Sequence, residues 1–200
     1  KQEEGFHWFL KQVFAKSVSG KIEAQDLLLC VLESFSEVWP SGLTVGSKNM
    51  GDIGVYKGVK GKFSSEDLVP FHKLSQWLTY SLIEPLSFCN LEVIATENLT
   101  GLPEYRNGGL FLDTGVIELI DHSNFNRKHR LDDALVVEWR ALTVILLDLV
   151  AKNLSNHFGK KLTLGRVLQG GTWLAGRSLA KRLRENGSPP LLLDSDGSIF

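Results

Sequence analysis

The chain's 200 residues are 43% hydrophobic and 22% charged, a composition that suits one globular domain with a sizeable core. A net charge of -1 and a pI near 6.6 set up no field to attract nucleic acid, leaving only the local cluster Arg127-Lys128-His129-Arg130 as a contact point. No membrane span is expected, since Val136 to Val150 is broken by Glu138, Arg140 and Asp148, and Cys30 and Cys89 fit no ligand pattern, so both are expected as buried thiols of a cytoplasmic protein.

Phe6 to Ser17 reads as a short amphipathic helix with Phe6, Phe9, Leu10, Val13 and Phe14 on one side, and His7 within it is expected to be structural. A second helix, from Ile22 to about Val38, begins after Gly20 and stops before Pro40, burying Leu27, Leu28, Val31, Leu32 and Phe35. From 41 to 65 the periodicity vanishes, and six glycines interleave with Lys48, Lys57, Lys60 and Lys62. That composition predicts a flexible loop, either a basic flap over a phosphorylated ligand or a mobile segment without one. Ser64-Ser65-Glu66-Asp67 then supplies caps and acids for a helix running to about Glu84. Its apolar stripe is Phe71, Leu74, Leu78 and Leu82. Lys73, Gln76 and Tyr80 share another face, and Trp77 with Tyr80 beside Gln76 suits the holding of a base or sugar.

Leu91 to Ala95 is expected as a short strand, and the segment after it is the chemically densest of the chain. Within Leu99 to Gly115, Glu104, Tyr105, Arg106 and Asn107 set a carboxylate, a phenol, a guanidinium and an amide in consecutive positions. Pro103 disfavours helix before them, and Gly108-Gly109 frees the backbone after them. This reads as an active-site segment; the alternative is a surface turn in which Glu104 and Arg106 pair. Asp121 to Asp132 is expected as a polar loop, after which Asp132 or Asp133 caps the longest helix, Ala134 to about Asn156, apolar nearly all round and therefore central. Burial makes its Glu138 and Arg140 costly without partners, so each is expected to reach a different loop, behind the Glu104 segment or in a structural ion pair.

Gly165 to Thr172 has the outer spacing of a Walker loop, but Gly171 stands where the Lys belongs, which excludes a nucleoside triphosphatase signature. Gly170-Gly171-Thr172 is expected to open a helix whose free amides hold a phosphate, with Trp173 and Arg177 along its side; close helix packing is the alternative. Leu191 to Phe200 reads as a small hairpin turning at Asp196-Gly197. Asp194 and Asp196, with no third ligand, make no metal site, and no metal or other cofactor is expected.

Several blocks carry a family resemblance: Leu99-Thr100-Gly101-Leu102-Pro103-Glu104-Tyr105-Arg106-Asn107-Gly108-Gly109-Leu110, Val137-Glu138-Trp139-Arg140-Ala141-Leu142-Thr143, Leu168-Gln169-Gly170-Gly171-Thr172-Trp173, and Ser195-Asp196-Gly197. They resemble the family of unknown function tied to the fungal uracil catabolism pathway, over Phe71 to Phe200. Chains of that family are longer at the amino end, so the resemblance implies that this chain is the carboxy-terminal part of a longer one. The order Pro70-Phe71-His72-Lys73 with Gln76, then Glu104-Tyr105-Arg106 with Gly115-Val116-Ile117, then Glu138-Trp139-Arg140-Ala141 is more remotely similar to the queuosine salvage glycosylases, which cut the bond between a ribose and a nitrogenous base. In those enzymes an Asp precedes the Tyr-Arg pair, so the resemblance implies a catalytic role for Glu104, one methylene longer. A further Asp of that family falls at Ser81 here.

The expectation is a mainly α protein, a compact, helical, glycosylase-like lobe of one domain with a small terminal β-hairpin. It would hydrolyse the N-ribosyl bond of a small phosphorylated nucleoside or ribosylurea in uracil breakdown. Glu104 would stabilise positive charge developing on the sugar or activate water. Tyr105, Arg106, Asn107, Lys73, Gln76, Trp77, Trp173 and Arg177 would bind the substrate, and Glu138 and Arg140 would support them. The competing expectation is a non-catalytic binding or assembly protein for another enzyme of pyrimidine degradation, with Glu104 tied up in an ion pair and no pocket beside it.

Overall fold

Short amphipathic segments joined by Gly and Pro breaks fold here into helices, with strands only where two extended pieces meet. The computed structural model describes residues 2–35, 38–39, 44–45, 47–56 and 67–195. The chain is mainly α, and among the described residues its strands pair into four two-stranded sheets.

Helix α1 (Gln2–Lys16) packs on α2 (Ala24–Phe35) through Phe9, Val13, Leu27 and Val31. Strand β1 (Lys21–Glu23) takes the residues expected to open α2 and pairs in parallel with β6 (Glu92–Ile94), Ile22 opposite Val93. Within the stretch expected as one patternless loop, the described residues include strands: β2 (Thr44–Val45) and β3 (Lys48–Asn49) form an antiparallel pair, and β4 (Ile53–Val55) pairs antiparallel with β5 (Leu68–Pro70). Residues 57–66, which include Lys57, Lys60, Lys62 and the Ser-Ser cap, lie outside the described residues.

Pairing of β5 with β4 delays the next helix, which is α3 (Lys73–Phe88) rather than a helix starting near Ser65, and α3 continues through Pro85. Helix α4 (Tyr105–Asp113) contains Gly108 and Gly109, so the glycine pair sits inside a helix and does not free the backbone after the Glu104 segment. A Cβ on Gly108 would lie 2.9 Å from the Trp139 indole nitrogen and the Thr143 hydroxyl; the bare backbone lets α4 approach α5 (Ala134–Phe158). The polar loop before α5 holds β7 (Lys128–Arg130), where His129 is fully buried and Nε2 lies 2.8 Å from the Asn124 carbonyl oxygen. That residue of the basic cluster is therefore structural.

Helix α5 is apolar nearly all round but not buried all round. It buries Val136, Val137, Trp139, Arg140, Thr143 and Leu147, while Leu142, Ile145 and Leu149 stay exposed. The expected helix start at Gly170 is also corrected. Helix α6 (Leu164–Val167) runs through one π turn, Leu168–Thr172, directly into α7 (Trp173–Leu183), so the 170–172 amides lie within a continuous helical path. Strand β8 (Leu192–Asp194) pairs in parallel with β7, and the expected turn at Asp196-Gly197 lies outside the described residues. Cys30 is buried, whereas Cys89 is exposed, against expectation. No described helix is long and apolar enough to cross a membrane.

Candidate active site

Asp52, in the turn before β4, fixes the start of α3. Its backbone carbonyl accepts the amides of Phe71 and His72, both at 3.0 Å, and its carboxylate accepts the Lys73 amide at 2.9 Å. The first amides of a helix lack partners within it, so a carboxylate there serves both hydrogen bonding and the helix dipole. His72, the residue before the helix, holds φ 45°, a left-handed conformation that few non-glycine residues adopt. Burial lowers the His72 pKa, opposed by the Asp52 charge. The same Asp52 carboxylate takes two hydrogen bonds from Arg140, at 2.7 and 2.8 Å, and the Arg140 guanidinium lies 4.0 Å above the Phe71 ring.

Arg140 connects this clamp to the 99–107 segment by donating from Nε to the Pro103 carbonyl at 3.2 Å. From α3, Gln76 Oε1 accepts the Thr100 amide at 3.3 Å and the Tyr80 hydroxyl donates to the Thr100 carbonyl at 3.1 Å. A segment held at Thr100 and Pro103 presents Glu104 in extended conformation as the N-cap of α4. Its Oε1 accepts the Asn107 amide at 2.8 Å and its Oε2 accepts the Arg106 amide at 3.1 Å.

Glu104 is 6% exposed. Burial raises its pKa, against the pull of the Asn107 and Arg106 amides and of the Arg106 and Lys73 charges. Burial also lowers the Lys73 pKa to about 8; the Glu104 and Asp52 charges resist that shift and the Arg140 and Arg106 charges assist it. The Arg106 guanidinium stands 3.7 Å from the Glu104 carboxylate and lies 4.7 Å from the Tyr105 ring centroid and 4.8 Å from that of Trp173.

These side chains line a cavity of about 280 Å³ that holds Lys73, Glu104, Tyr105 and Arg106 between Trp77 and Trp173. A larger cleft of about 720 Å³ shares Trp77, Leu102 and Trp173 with it and reaches Asn107, Arg166 and Gln169. Asn107 is fully buried; its Nδ2 donates to the Leu102 carbonyl at 3.1 Å, while its Oδ1 has no partner among the described residues. The cavity can therefore present two cations to an anion, aromatic faces to a planar group and a buried carboxylate to the bond between them. Among the described residues no group of three or more His, Cys, Asp or Glu side chains is placed to hold a metal ion.

The structure brings together Lys73, Trp77, Glu104, Tyr105, Arg106 and Trp173. Gln76 is not among the residues lining either cavity; it holds Thr100 instead. Arg177 is exposed, 6.0 Å from the Trp173 ring centroid, and Arg184, the residue that ends α7, is held by Asp113 at 2.6 and 2.8 Å. Glu138 is exposed, so only Arg140 of the two supports the segment. Asp52 is the residue that sequence reasoning missed. Its one signal was the demand that a buried Arg140 have a partner.

The chain is 40% identical over 185 residues to Protein urg3 of Schizosaccharomyces pombe, covering 86% of this chain and 45% of that one. It is 35% identical over 204 residues to Uracil catabolism protein 4 of Lachancea kluyveri, covering 90% of this chain and 46% of the relative. The chain thus spans about half the length of the curated relatives it matches. No solved structure matches it. Residues 6–200 match the family described as Protein of unknown function (DUF1688), and the chain belongs to that family.

Proposed function

We propose that this protein acts in uracil catabolism by hydrolysing the N-ribosyl bond of a small phosphorylated nucleoside or ribosylurea. The pathway is suggested by the name of one relative, Uracil catabolism protein 4. The observation that carries the chemistry is the buried Glu104 carboxylate opening onto a cavity that also holds Lys73, Arg106 and two Trp side chains.

Breaking a bond between C1′ and nitrogen develops positive charge on the sugar and negative charge on the departing nitrogen. Glu104, fixed by two backbone amides, stabilises the sugar cation in its ionised form or protonates the leaving nitrogen in its neutral form, and burial favours the neutral form. Arg106, braced by Tyr105 and Trp173, takes the phosphate; Trp77 and Trp173 bound the base or ureido group. Arg177, exposed and 6.0 Å from the Trp173 ring centroid, is the second contact for the phosphate in this reading.

A non-catalytic binding or assembly role is the second reading, and one observation favours it: both Glu104 oxygens already cap α4. Assay of ribose phosphate release from uridine monophosphate and ribosylurea phosphate by the full-length protein separates the two. Release that disappears in Glu104→Gln supports the hydrolase. No release from either compound favours the binding protein.

A further inference from the structure

We infer that Lys73 is the nucleophile of this site, attacking C1′ of the ribosyl group through its side-chain amine and carrying the sugar phosphate as an imine. The inference rests on the N-ribosyl hydrolase reading and goes beyond it, since there Lys73 only supplies charge.

Three features of the geometry single this amine out. Lys73 begins α3, with its backbone amide locked on Asp52, and the residue is 8% exposed while lining the cavity that holds Glu104. Its ammonium forms no hydrogen bond or close ion pair among the described residues, whereas the buried Arg140 is held by the Asp52 carboxylate. The charged groups acting on it are Asp52 beside its amide, Glu104 capping α4, Arg106 in its first turn, and Arg140 from α5, a set with as many cations as anions. Desolvation is the larger effect and brings its pKa to about 8, so about a tenth of the amine is neutral at pH 7. A buried amine that loses its proton this readily is the form that attacks carbon.

The steps balance without an oxidant or reductant. The neutral amine forms a bond to C1′, and the C1′–nitrogen bond breaks with its electron pair leaving on nitrogen. That nitrogen takes the proton of the neutral Glu104 carboxyl. The new C1′–Nζ ammonium returns a proton to Glu104, the C1′–O4′ bond then opens, and O4′ takes that proton as the imine forms. Water adds to C1′, one of its protons passing to Nζ and the other to the Glu104 carboxylate, and the C1′–Nζ bond breaks with its electron pair on nitrogen, releasing the open-chain sugar phosphate as its aldehyde and restoring both Lys73 and Glu104. Arg106 holds the phosphate throughout and does not transfer a proton.

The test adds sodium borohydride to the full-length protein turning over ribosylurea phosphate and maps the modified peptide by mass spectrometry, with Lys73→Arg and Lys73→Met alongside. The Arg variant keeps the cation and removes the nucleophile. The inference predicts a reduced sugar-phosphate adduct on Lys73, and release lowered by at least about 100-fold in both variants, although each still melts as a folded protein. Release within about 3-fold of wild type in Lys73→Arg, with no adduct at residue 73, overturns the inference and leaves the hydrolase reading standing. A wild-type protein that releases no sugar phosphate defeats both together.

Discussion

Arg140 shows at the scale of one residue how the site is held. It is 2% exposed, meets Asp52 through two hydrogen bonds and reaches Pro103 with a third. Breaking a buried pair by removing one partner leaves the other charge uncompensated, a loss of about 3–5 kcal/mol. Asp52→Ala is therefore expected to lower the unfolding free energy by about 3 kcal/mol or more in urea titration, and a loss under about 1 kcal/mol contradicts the clamp. The titrating groups of the cavity give signed expectations. Lys73 has its pKa lowered from 10.5 to about 8, so between those values the unfolded chain binds more protons and stability rises with pH. Comparison of melting temperatures across that window should show this rise in the wild type and its loss in Lys73→Met. Glu104 has the opposite sign: its raised pKa contributes stability below the ordinary value of 4.5 that is lost as pH rises through the folded value. Glu104→Gln should flatten stability across that acid window; an unchanged slope would mean that burial does not govern this carboxyl.

At the scale of elements, the site depends on the approach of α7 to α4. Gly176 faces the Arg106 backbone so closely that a Cβ would overlap the Arg106 carbonyl, whereas at Gly171 nothing lies within 4 Å. Gly176→Ala is expected to cost about 1–3 kcal/mol, and Gly171→Ala to be neutral or to stabilise by up to about 1 kcal/mol. Thermal melts of the two variants check the contrast, and equal behaviour would remove the argument that close packing sets Arg106. The longest helix was legible because its apolar residues run from Leu135 to Leu154 with no Gly or Pro to break them. Strand β5 was not: three residues are too few to show alternation, and their state is decided by β4, far away in sequence. The π turn at 168–172 escaped for a related reason. Gly170-Gly171 weakens local helix preference, and the continuous path is fixed by burial of Leu168 and Thr172 on either side.

For the whole molecule, three groups of buried apolar residues leave the cavity where α3, α4 and α7 meet, with α5 behind them. The sequence made the acidic, basic and aromatic components of this cavity visible, because Glu104, Tyr105 and Arg106 are neighbours and Lys73 with Trp77 shares one helix. It did not make visible which of them would be diverted to scaffolding. Gln76 went to Thr100 and Asp52 to Arg140, outcomes fixed by which buried groups lacked partners once the helices had packed, while Glu138 faces solvent. The most direct measurement is a single-turnover assay of ribosylurea phosphate with wild-type and Glu104→Gln full-length protein, read as ribose phosphate formed, beside a ligand-induced thermal shift of each. The account predicts a shift for both proteins and ribose phosphate from the wild type alone. Equal release by both would contradict it, because Glu104 would then be a helix cap and nothing more.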